Sequence, residues 1–356
     1  MTQTTNPTTP VERIVFLDFI RVASIFMVVL AHCFNPYYET IKEGNFFWLN
    51  TIVSAMRPSV PLFVMVSSFL LLPLKCEPGD FYRRRFTRIL IPFAVWSVLY
   101  ATLPYLWGDM TIEQVKKELL TLTYNFNMRA EHLWFMYMFI GVYLIMPVIS
   151  PWLATTSKKF EQVFIGIWFL TTFYHYAKLL VPQFWGECVW NEFTPIWYFS
   201  GYIGFVVLAH YIRTHLNWTV KKNIIVGVLL FLVGYVSTWL IFHHFASTST
   251  KFADWELGWR FCTPNVALMA AGLFVIMKQV KINGARSKAF FAELSKMSFG
   301  IFLIHELMLY HLHNWIEPIT KFIPLTGFVN GVITFTISYL IVKAISYLPK
   351  SKYIIG

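Results

Sequence analysis

Charged residues are scarce in this chain. Asp, Glu, Lys and Arg together make up 13% of its 356 residues, whereas hydrophobic residues make up 57%. A soluble domain usually carries about 25% charged residues, so this deficit excludes an ordinary soluble protein. The mean hydropathy of +0.56 agrees and indicates a polytopic membrane protein.

Cysteine is also scarce, and its spacing excludes two common uses. The four cysteines, Cys33, Cys76, Cys188 and Cys262, form no CxxC pair, which leaves a zinc finger or a thioredoxin-like site without a basis. Cys188 and Cys262 are both expected on the outer side of the membrane. A disulfide between them therefore stays open, with four free thiols as the alternative.

Several enzyme classes are excluded by the motifs that the sequence lacks. It contains no Walker phosphate loop, no dinucleotide glycine fingerprint, no GxSxG elbow and no HExxH motif. ATPases, Rossmann enzymes, standard serine hydrolases and zincins do not fit. The net charge of +11 does not indicate nucleic-acid binding either, because the basic residues lie in short loops between apolar segments.

What the chain does have is a series of apolar segments, each near the roughly 20 residues that a bilayer needs. We expect an all-α polytopic integral membrane protein with about ten transmembrane helices and both termini inside. The segments are 13–34, 50–74, 87–108, 132–150, 161–181, 195–210, 223–244, 263–279, 293–313 and 326–348.

The loops between these segments alternate in basic content. Seventeen Lys and Arg residues fall in one set of loops and termini, and seven fall in the alternate set. The positive-inside rule therefore puts both termini in the cytoplasm. We expect a disordered tail over residues 1–12, a single membrane domain over 13–348 and a short cytoplasmic tail over 349–356.

The outer loops have two further features. The connections 109–131 and 245–262 are the longest, and we expect them to form re-entrant or short amphipathic pieces. Five tryptophans are expected in the aromatic belt at the outer interface: Trp107, Trp185, Trp190, Trp255 and Trp259.

Three polar residues share one face of the first apolar segment. Asp18, Arg21 and His32 lie within about 60° of one another at 100° per residue. A charge inside a membrane span is costly, so we expect Asp18 to neutralise Arg21 one turn away. His32 lies about 16 Å further along and is a candidate for proton transfer near neutral pH. Capping of the helix end is its simpler alternative role.

Arginines mark two further candidate sites. Arg57, in RPSVPLF, opens the second segment, where Pro58 and Pro61 break the first helical turn and can shape a cavity. Arg85 and Arg88, in FYRRRFTRILIPF, share a helical face and suit bidentate contacts to phosphate. Anchoring at the membrane surface is the alternative for each.

Two later motifs contain histidine. In EHLWFMY, Glu131 is expected to orient His132 at the start of the fourth segment. In SKMSFGIFLIHE, Ser298 and His305 are seven residues apart and so share one face near mid-membrane. We expect Arg57, His132, His305 and Ser298 to contact substrate, with a satisfied buried histidine as the structural alternative.

Taken in order, these motifs resemble the membrane acyltransferase-3 family. The likeness rests on LDFIR with the Arg21 and His32 spacing, RPSVPLFVMVSSFLL, RRRFTRILIP, HLWFMYMFIGVYLIMP and LSKMSFGIFLIHE, from about residue 13 to 348. Ser68 departs from the glycine of many members, and the fourth span lacks the glutamates of larger ones. The chain is similar to the small stand-alone branch that includes enterobacterial-common-antigen and adhesin-polysaccharide acyltransferases.

The resemblance implies an O-acetyltransferase of the bacterial inner membrane. It implies transfer of an acetyl or other short acyl group from acetyl-CoA or another acyl-CoA to a hydroxyl of a surface polysaccharide or its lipid-linked precursor. His32 and Arg21, with Asp18 beside them, would be catalytic, and Arg85 and Arg88 would hold the donor. The lipid bilayer and the glycan are the expected partners, and neither a metal nor nucleic acid is expected. The oligomeric state cannot be deduced from the sequence.

Two other classes of protein remain open. A transporter or flippase of a lipid-linked saccharide also fits polar residues within ten helices, although it predicts a repeat symmetry that the sequence does not show. A structural scaffold leaves Asp18, Arg21, Arg57 and His305 unexplained.

The basic asymmetry predicts the side of each connection. Reporter proteins fused after Gly356 and after Gly108 should report the cytoplasmic and the outer side respectively, because the flanking loops differ in Lys and Arg content. Alkaline phosphatase and fluorescent-protein activity measure this pair. The same side for both fusions would refute the ten-span topology.

Overall fold

The computed structural model is all-α and describes residues 13–38, 46–126, 128–183, 186–189, 191, 195–316 and 322–356. The α-helices of these residues are α1 (Val15–His32), α2 (Phe46–Met56), α3 (Ser59–Leu71), α4 (Pro78–Leu106), α5 (Ile112–Thr121), α6 (Trp134–Thr155), α7 (Lys158–Thr171), α8 (Tyr174–Leu180), α9 (Ile203–Thr214), α10 (Val220–Thr248), α11 (Phe252–Trp255), α12 (Pro264–Met277), α13 (Ala285–Ile316), α14 (Ile323–Ser346) and α15 (Lys352–Ile355).

Eight stretches of the described chain are long and apolar enough to cross a membrane: Val15–Tyr37, Phe46–Leu71, Pro78–Leu106, Arg129–Thr155, Lys158–Leu180, Val220–Thr248, Phe252–Met277 and Ile323–Ser346. The sixth and ninth predicted segments fall on α9, a shorter apolar helix, and on α13, whose 32 residues carry more polar side chains. The all-α polytopic fold is therefore confirmed. The count of ten and the orientation stay predictions.

Lipid-facing surface is evident on α10. Large apolar side chains along this helix are exposed, which would be unfavourable in water and is expected in hydrocarbon: Ile224, Ile225, Val228, Leu229, Leu232, Val233, Val236 and Leu240.

The first helix lies in the middle of the core. α1 packs against α3, α13 and α14. Its buried side chains include Leu17, Ile20, Ile25, Val28 and Val29, which recur at helical spacing. This packing holds the polar face of α1 against α13, and the candidate site lies at that contact.

The second span consists of two helices with a break between them, whereas the sequence predicted one helix with a broken first turn. α2 ends at Met56, and α3 begins at Ser59 with Pro58 at its N-cap. Pro61 is tolerated in the first turn of α3, because the backbone N–H groups there have no intrahelical partner. Arg57 was expected to open the second span. It instead lies inside the span, in the break that follows the complete helix α2.

The long outer connections contain short helices. α5 begins with a capping box formed by Thr111 and Gln114 and is amphipathic. A 3₁₀-helix over Met128–Leu133 completes the first connection, and α11 with a 3₁₀-helix over Glu256–Trp259 completes the second. The expectation of short amphipathic pieces is confirmed for α5.

The prediction of an aromatic belt was wrong for one of the five tryptophans. Trp259 is fully buried, stacks on Phe242 and donates its indole N–H to Ser54 Oγ at 2.8 Å. Trp107 is exposed and Trp255 is half-buried. Trp185 and Trp190 lie outside the described residues, as do the basic loop residues Lys42 and Lys321.

The C-terminal residues are part of the packed structure. α15 packs against α4, α13 and α14, and Trp96 donates its indole N–H to the Ile354 carbonyl at 2.8 Å. The predicted disordered tail over residues 1–12 lies outside the described residues. Cys33, Cys76, Cys188 and Cys262 are all free thiols, so Cys188 and Cys262 form no disulfide.

Helices α10 and α12 approach each other closely at two glycines. A Cβ on Gly272 would lie 2.4 Å from the Gly227 carbonyl oxygen, and one on Gly227 would lie 2.9 Å from the Gly272 carbonyl oxygen. Both contacts are to backbone, which cannot rotate away. Small residues at this crossing are therefore required, as is common between membrane helices.

We predict that Gly272→Ala destabilises the protein by about 1–3 kcal/mol, because the added methyl forces α10 and α12 apart. Gly166→Ala is the matched control, since a Cβ there meets nothing within 4 Å. Thermal unfolding in detergent measures both. Equal melting temperatures for the two variants would contradict the close crossing.

Candidate active site

Two predicted histidines meet across the contact between α1 and α13. His32 and His305 stack with ring centroids 5.0 Å apart, and His32 Nδ1 lies 2.8 Å from His305 Nε2. A carboxylate oxygen of Glu306 lies 3.1 Å from the same His32 nitrogen. His305 is fully buried, whereas about a quarter of the His32 and Glu306 side chains is exposed. We call His32, His305 and Glu306 the histidine cluster.

The hydrogen bonds of the histidine cluster assign its protons. A backbone carbonyl can only accept, so His305 Nδ1, 2.6 Å from the Phe302 carbonyl oxygen, donates. In a neutral His305 ring, Nε2 is then the acceptor, and His32 Nδ1 is the donor. The Glu306 carboxylate accepts from the same side of the His32 ring. Nε2 of a neutral His32 therefore carries a lone pair and can accept a proton.

The histidine cluster also has the composition of a metal site. One ligand atom from each residue lies within 4.8 Å of the others. Two nitrogens on one tetrahedral zinc ion lie about 3.3 Å apart, given Zn–N bonds of about 2.0 Å. The 2.8 Å between His32 Nδ1 and His305 Nε2 fits a hydrogen bond better. That the protein needs no metal stays a prediction.

His132 is beside this cluster but is not oriented as expected. Its ring packs edge-on against His305, with centroids 5.2 Å apart, and against Tyr100 and Phe302. Both ring nitrogens are buried without a hydrogen-bond partner among the described residues. Glu131 is exposed and does not anchor them, because successive residues of a helical turn point in different directions.

A cavity of about 60 Å³ lies beside His32. We call it the histidine cavity, and its polar lining includes Asn35, Arg57, Ser59 and His132. Arg57 donates from Nε to the Trp259 carbonyl at 2.8 Å and lies over the Phe261 ring at 4.6 Å. This contact holds the guanidinium at the cavity wall, in the break between α2 and α3.

Two surface clefts adjoin the histidine cavity. One shares Arg57, Trp134 and Phe261 with it and measures about 300 Å³. The other shares Asn35 with it, contains Glu306 and measures about 550 Å³. His32 is therefore close to the surface on this side of the protein.

Asp18 does not pair with Arg21. Its carboxylate binds Arg13 through two hydrogen bonds of 2.5 and 2.9 Å, and Arg13 also donates to the Ala292 carbonyl. The expected ion pair between Asp18 and Arg21 was wrong because Arg13, just before α1, binds Asp18 instead. Arg21 instead donates to Ser295 Oγ at 3.3 Å. Asp18 is thus a positioning group for the start of α1.

Arg21 faces a second cavity, of about 140 Å³, together with Arg85 and Arg88. We call it the arginine cavity, and Ser298, Ser295 and Lys296 also line it. No carboxylate among the described residues pairs with any of the three arginines. Several cations around one cavity repel one another unless an anion enters, so this cavity suits an anionic group.

The arginine cavity adjoins a basic cleft on the protein surface. Arg88 lines both. The cleft measures about 590 Å³, and its lining is Asp80, Arg83, Arg84, Thr87, Arg88, Lys352, Tyr353 and Gly356. Four cationic side chains against one acidic side chain make it a second place for phosphate, next to the first.

Three phenylalanines separate the two cavities. Phe63, Phe135 and Phe302 line both of them. The Phe135 ring lies 5.9 Å from Phe63 and 5.0 Å from Phe302, centroid to centroid. We call these three rings the phenylalanine partition. Arg21 and His32, on one helix, therefore face cavities on opposite sides of it.

The structure groups the predicted site residues by cavity. His32, Arg57, His132 and His305 meet at or beside the histidine cavity, while Arg21, Arg85, Arg88 and Ser298 line the arginine cavity. Sequence analysis did not single out Glu306, although it directly follows His305 in the quoted motif. It also missed the phenylalanine partition, because phenylalanine is common in membrane helices and carries no local signal.

The fold and this site define a polytopic membrane protein with a pair of stacked histidines beside one cavity and three arginines around a second. A comparison with protein families matches residues 14–347 to the acyltransferase-3 family, described as an acyltransferase domain. The match covers nearly the whole chain, so the chain belongs to this family and is a membrane acyltransferase. No curated protein and no solved structure matches it.

Proposed function

We propose that the protein transfers an acetyl or other short acyl group from an acyl-CoA to a hydroxyl of a surface glycan or its lipid-linked precursor. The observation that carries this proposal is the histidine cluster, where His305 and Glu306 both contact His32 Nδ1 and leave Nε2 as the basic nitrogen. A base held by a carboxylate is the arrangement that acyl transfer to a hydroxyl uses.

The donor fits the arginine side of the protein. Coenzyme A carries phosphates at one end and the thioester at the other. Arg21, Arg85 and Arg88 in the arginine cavity offer planar guanidinium groups, which bind phosphate in a bidentate manner. The rise of α1 separates Arg21 from His32 by about 16 Å, which the flexible arm of coenzyme A can span.

The transfer step needs only a base and a polarised thioester. His32 Nε2 takes the proton of the acceptor hydroxyl as its oxygen bonds to the acyl carbon. The carbon–sulfur bond breaks, and the proton passes to the leaving thiolate, which gives an ester and free coenzyme A. Glu306 stabilises the imidazolium form of His32 from 3.1 Å. Arg57 lines the same cavity and is the candidate group for the developing oxyanion.

The acceptor fits the opposite side. The cleft at Arg57 combines aromatic rings, Trp134 and Phe261, with the polar groups of Glu256 and Arg260. Apolar faces with a few placed polar groups are typical of small-molecule sites and suit a sugar. We place the protein in the bacterial inner membrane, where an acyl-CoA on one side and a lipid-linked sugar are both accessible.

The catalytic prediction concerns the histidine cluster. His32→Ala should lower kcat by about 10²- to 10⁴-fold, the usual contribution of a general base. Glu306→Gln keeps an oxygen acceptor for His32 but removes the charge, so kcat should fall while KM for the donor holds. The measurement is transfer of labelled acetyl from acetyl-CoA by purified protein, with and without a candidate glycan.

His244→Ala is the control for these variants, because His244 is an exposed histidine elsewhere, near the end of α10. It should retain the wild-type rate. Wild-type turnover by a folded His32→Ala protein would remove the histidine cluster from the mechanism.

The donor prediction concerns Arg85 and Arg88. The double variant Arg85→Lys, Arg88→Lys keeps both charges but loses the bidentate fork, so KM for acetyl-CoA should rise about tenfold with protein levels unchanged. Arg286→Lys changes an exposed arginine in the first turn of α13 and should leave the donor KM as it is. Unchanged donor kinetics in the double variant would make these arginines topology anchors only.

A further inference from the structure

We infer that the phenylalanine partition sets the length of the acyl group that the protein accepts, with Phe63 and Phe302 as specificity-determining residues. This inference rests on the proposed function. Both residues line the histidine cavity and the arginine cavity, so a thioester that reaches His32 from the arginine side has the partition around it.

The size of the histidine cavity limits what can lie beside His32. An apolar protein cavity of about 150 Å³ holds benzene, which has six carbon atoms. The histidine cavity, at about 60 Å³, has room for two or three heavy atoms on the same scale. An acetyl group has three, whereas a butyryl group has five and a hexanoyl group has seven.

The walls of this cavity resist expansion. Phe302 is buried, and its ring packs against Phe135, against His132 at 5.5 Å and against His305 at 5.9 Å. A longer acyl chain has to displace the Phe302 ring, which packs directly against His305. Discrimination of about 10- to 200-fold for one extra methylene is typical of such apolar pockets.

Phe63 is the better residue to change. It is half-buried, and the ring contact that the structure shows for it is with Phe135. Phe63→Ala removes a ring the size of benzene from the wall while the histidine cluster keeps its neighbours. Phe302→Leu is a second variant, which retains bulk and the carbonyl that binds His305.

The test is equilibrium binding to purified protein, measured as displacement of labelled coenzyme A by acetyl-, butyryl- and hexanoyl-CoA. In the wild type, hexanoyl-CoA should bind at least tenfold more weakly than acetyl-CoA. In Phe63→Ala the two should bind within about threefold of each other. Phe302→Leu should shift the preference in the same direction.

Phe164→Ala is the matched control, because it removes the same ring from an aromatic cluster with Trp152 and Phe199. It should retain the wild-type preference. Equal binding of all three thioesters to the wild type, or an unchanged preference in folded Phe63→Ala and Phe302→Leu proteins, would overturn the inference. Failure of the wild type to bind coenzyme A or any acyl-CoA would overturn the proposed function instead.

Discussion

The hydrogen bond between His32 Nδ1 and His305 Nε2 joins α1 to α13 beside the histidine cavity. It depends on the His305 ring being fixed by the Phe302 carbonyl, which determines the donor on His32. Because the cluster is largely removed from water, its members must satisfy one another. The same requirement leaves one nitrogen of a neutral His32 with a free lone pair, and it places the Glu306 carboxylate beside the ring.

The rest of the site is arranged along α1 around this contact. Arg21 lies towards one end of the helix and lines the arginine cavity, which continues into the basic cleft through Arg88. His32 lies at the other end and lines the histidine cavity, which adjoins clefts at Arg57 and Glu306. The phenylalanine partition separates these compartments. In the proposed function, the anionic donor and the neutral acceptor approach one histidine from opposite sides of this partition.

Sequence alone predicted the features that local chemistry determines. Apolar length predicted the membrane helices, and the 100° rotation per residue predicted that Arg21 and His32 share one face of α1, which contacts α13. Prediction from the sequence failed where the interacting residue lies outside the helix or where the backbone is irregular. Asp18 binds Arg13, which precedes the helix; Arg57 lies in a break between two helices; and Trp259 is buried rather than interfacial. Glu306 and the partition are defined by contacts between residues far apart in the sequence, such as Glu306 with His32 and Phe135 with Phe302, and no local pattern contains those contacts.

The central claim is that donor and acceptor reach His32 from opposite sides of the membrane. The direct measurement is incorporation of labelled acetyl into membrane glycan by inside-out and right-side-out vesicles, each given acetyl-CoA on the outside only, with His32→Ala vesicles as background. The account predicts incorporation only when acetyl-CoA is presented to the face that carries Arg83, Arg84 and Lys352. Equal incorporation in both kinds of sealed vesicle, or incorporation only from the face that carries the Arg57 and Glu306 clefts, would contradict it.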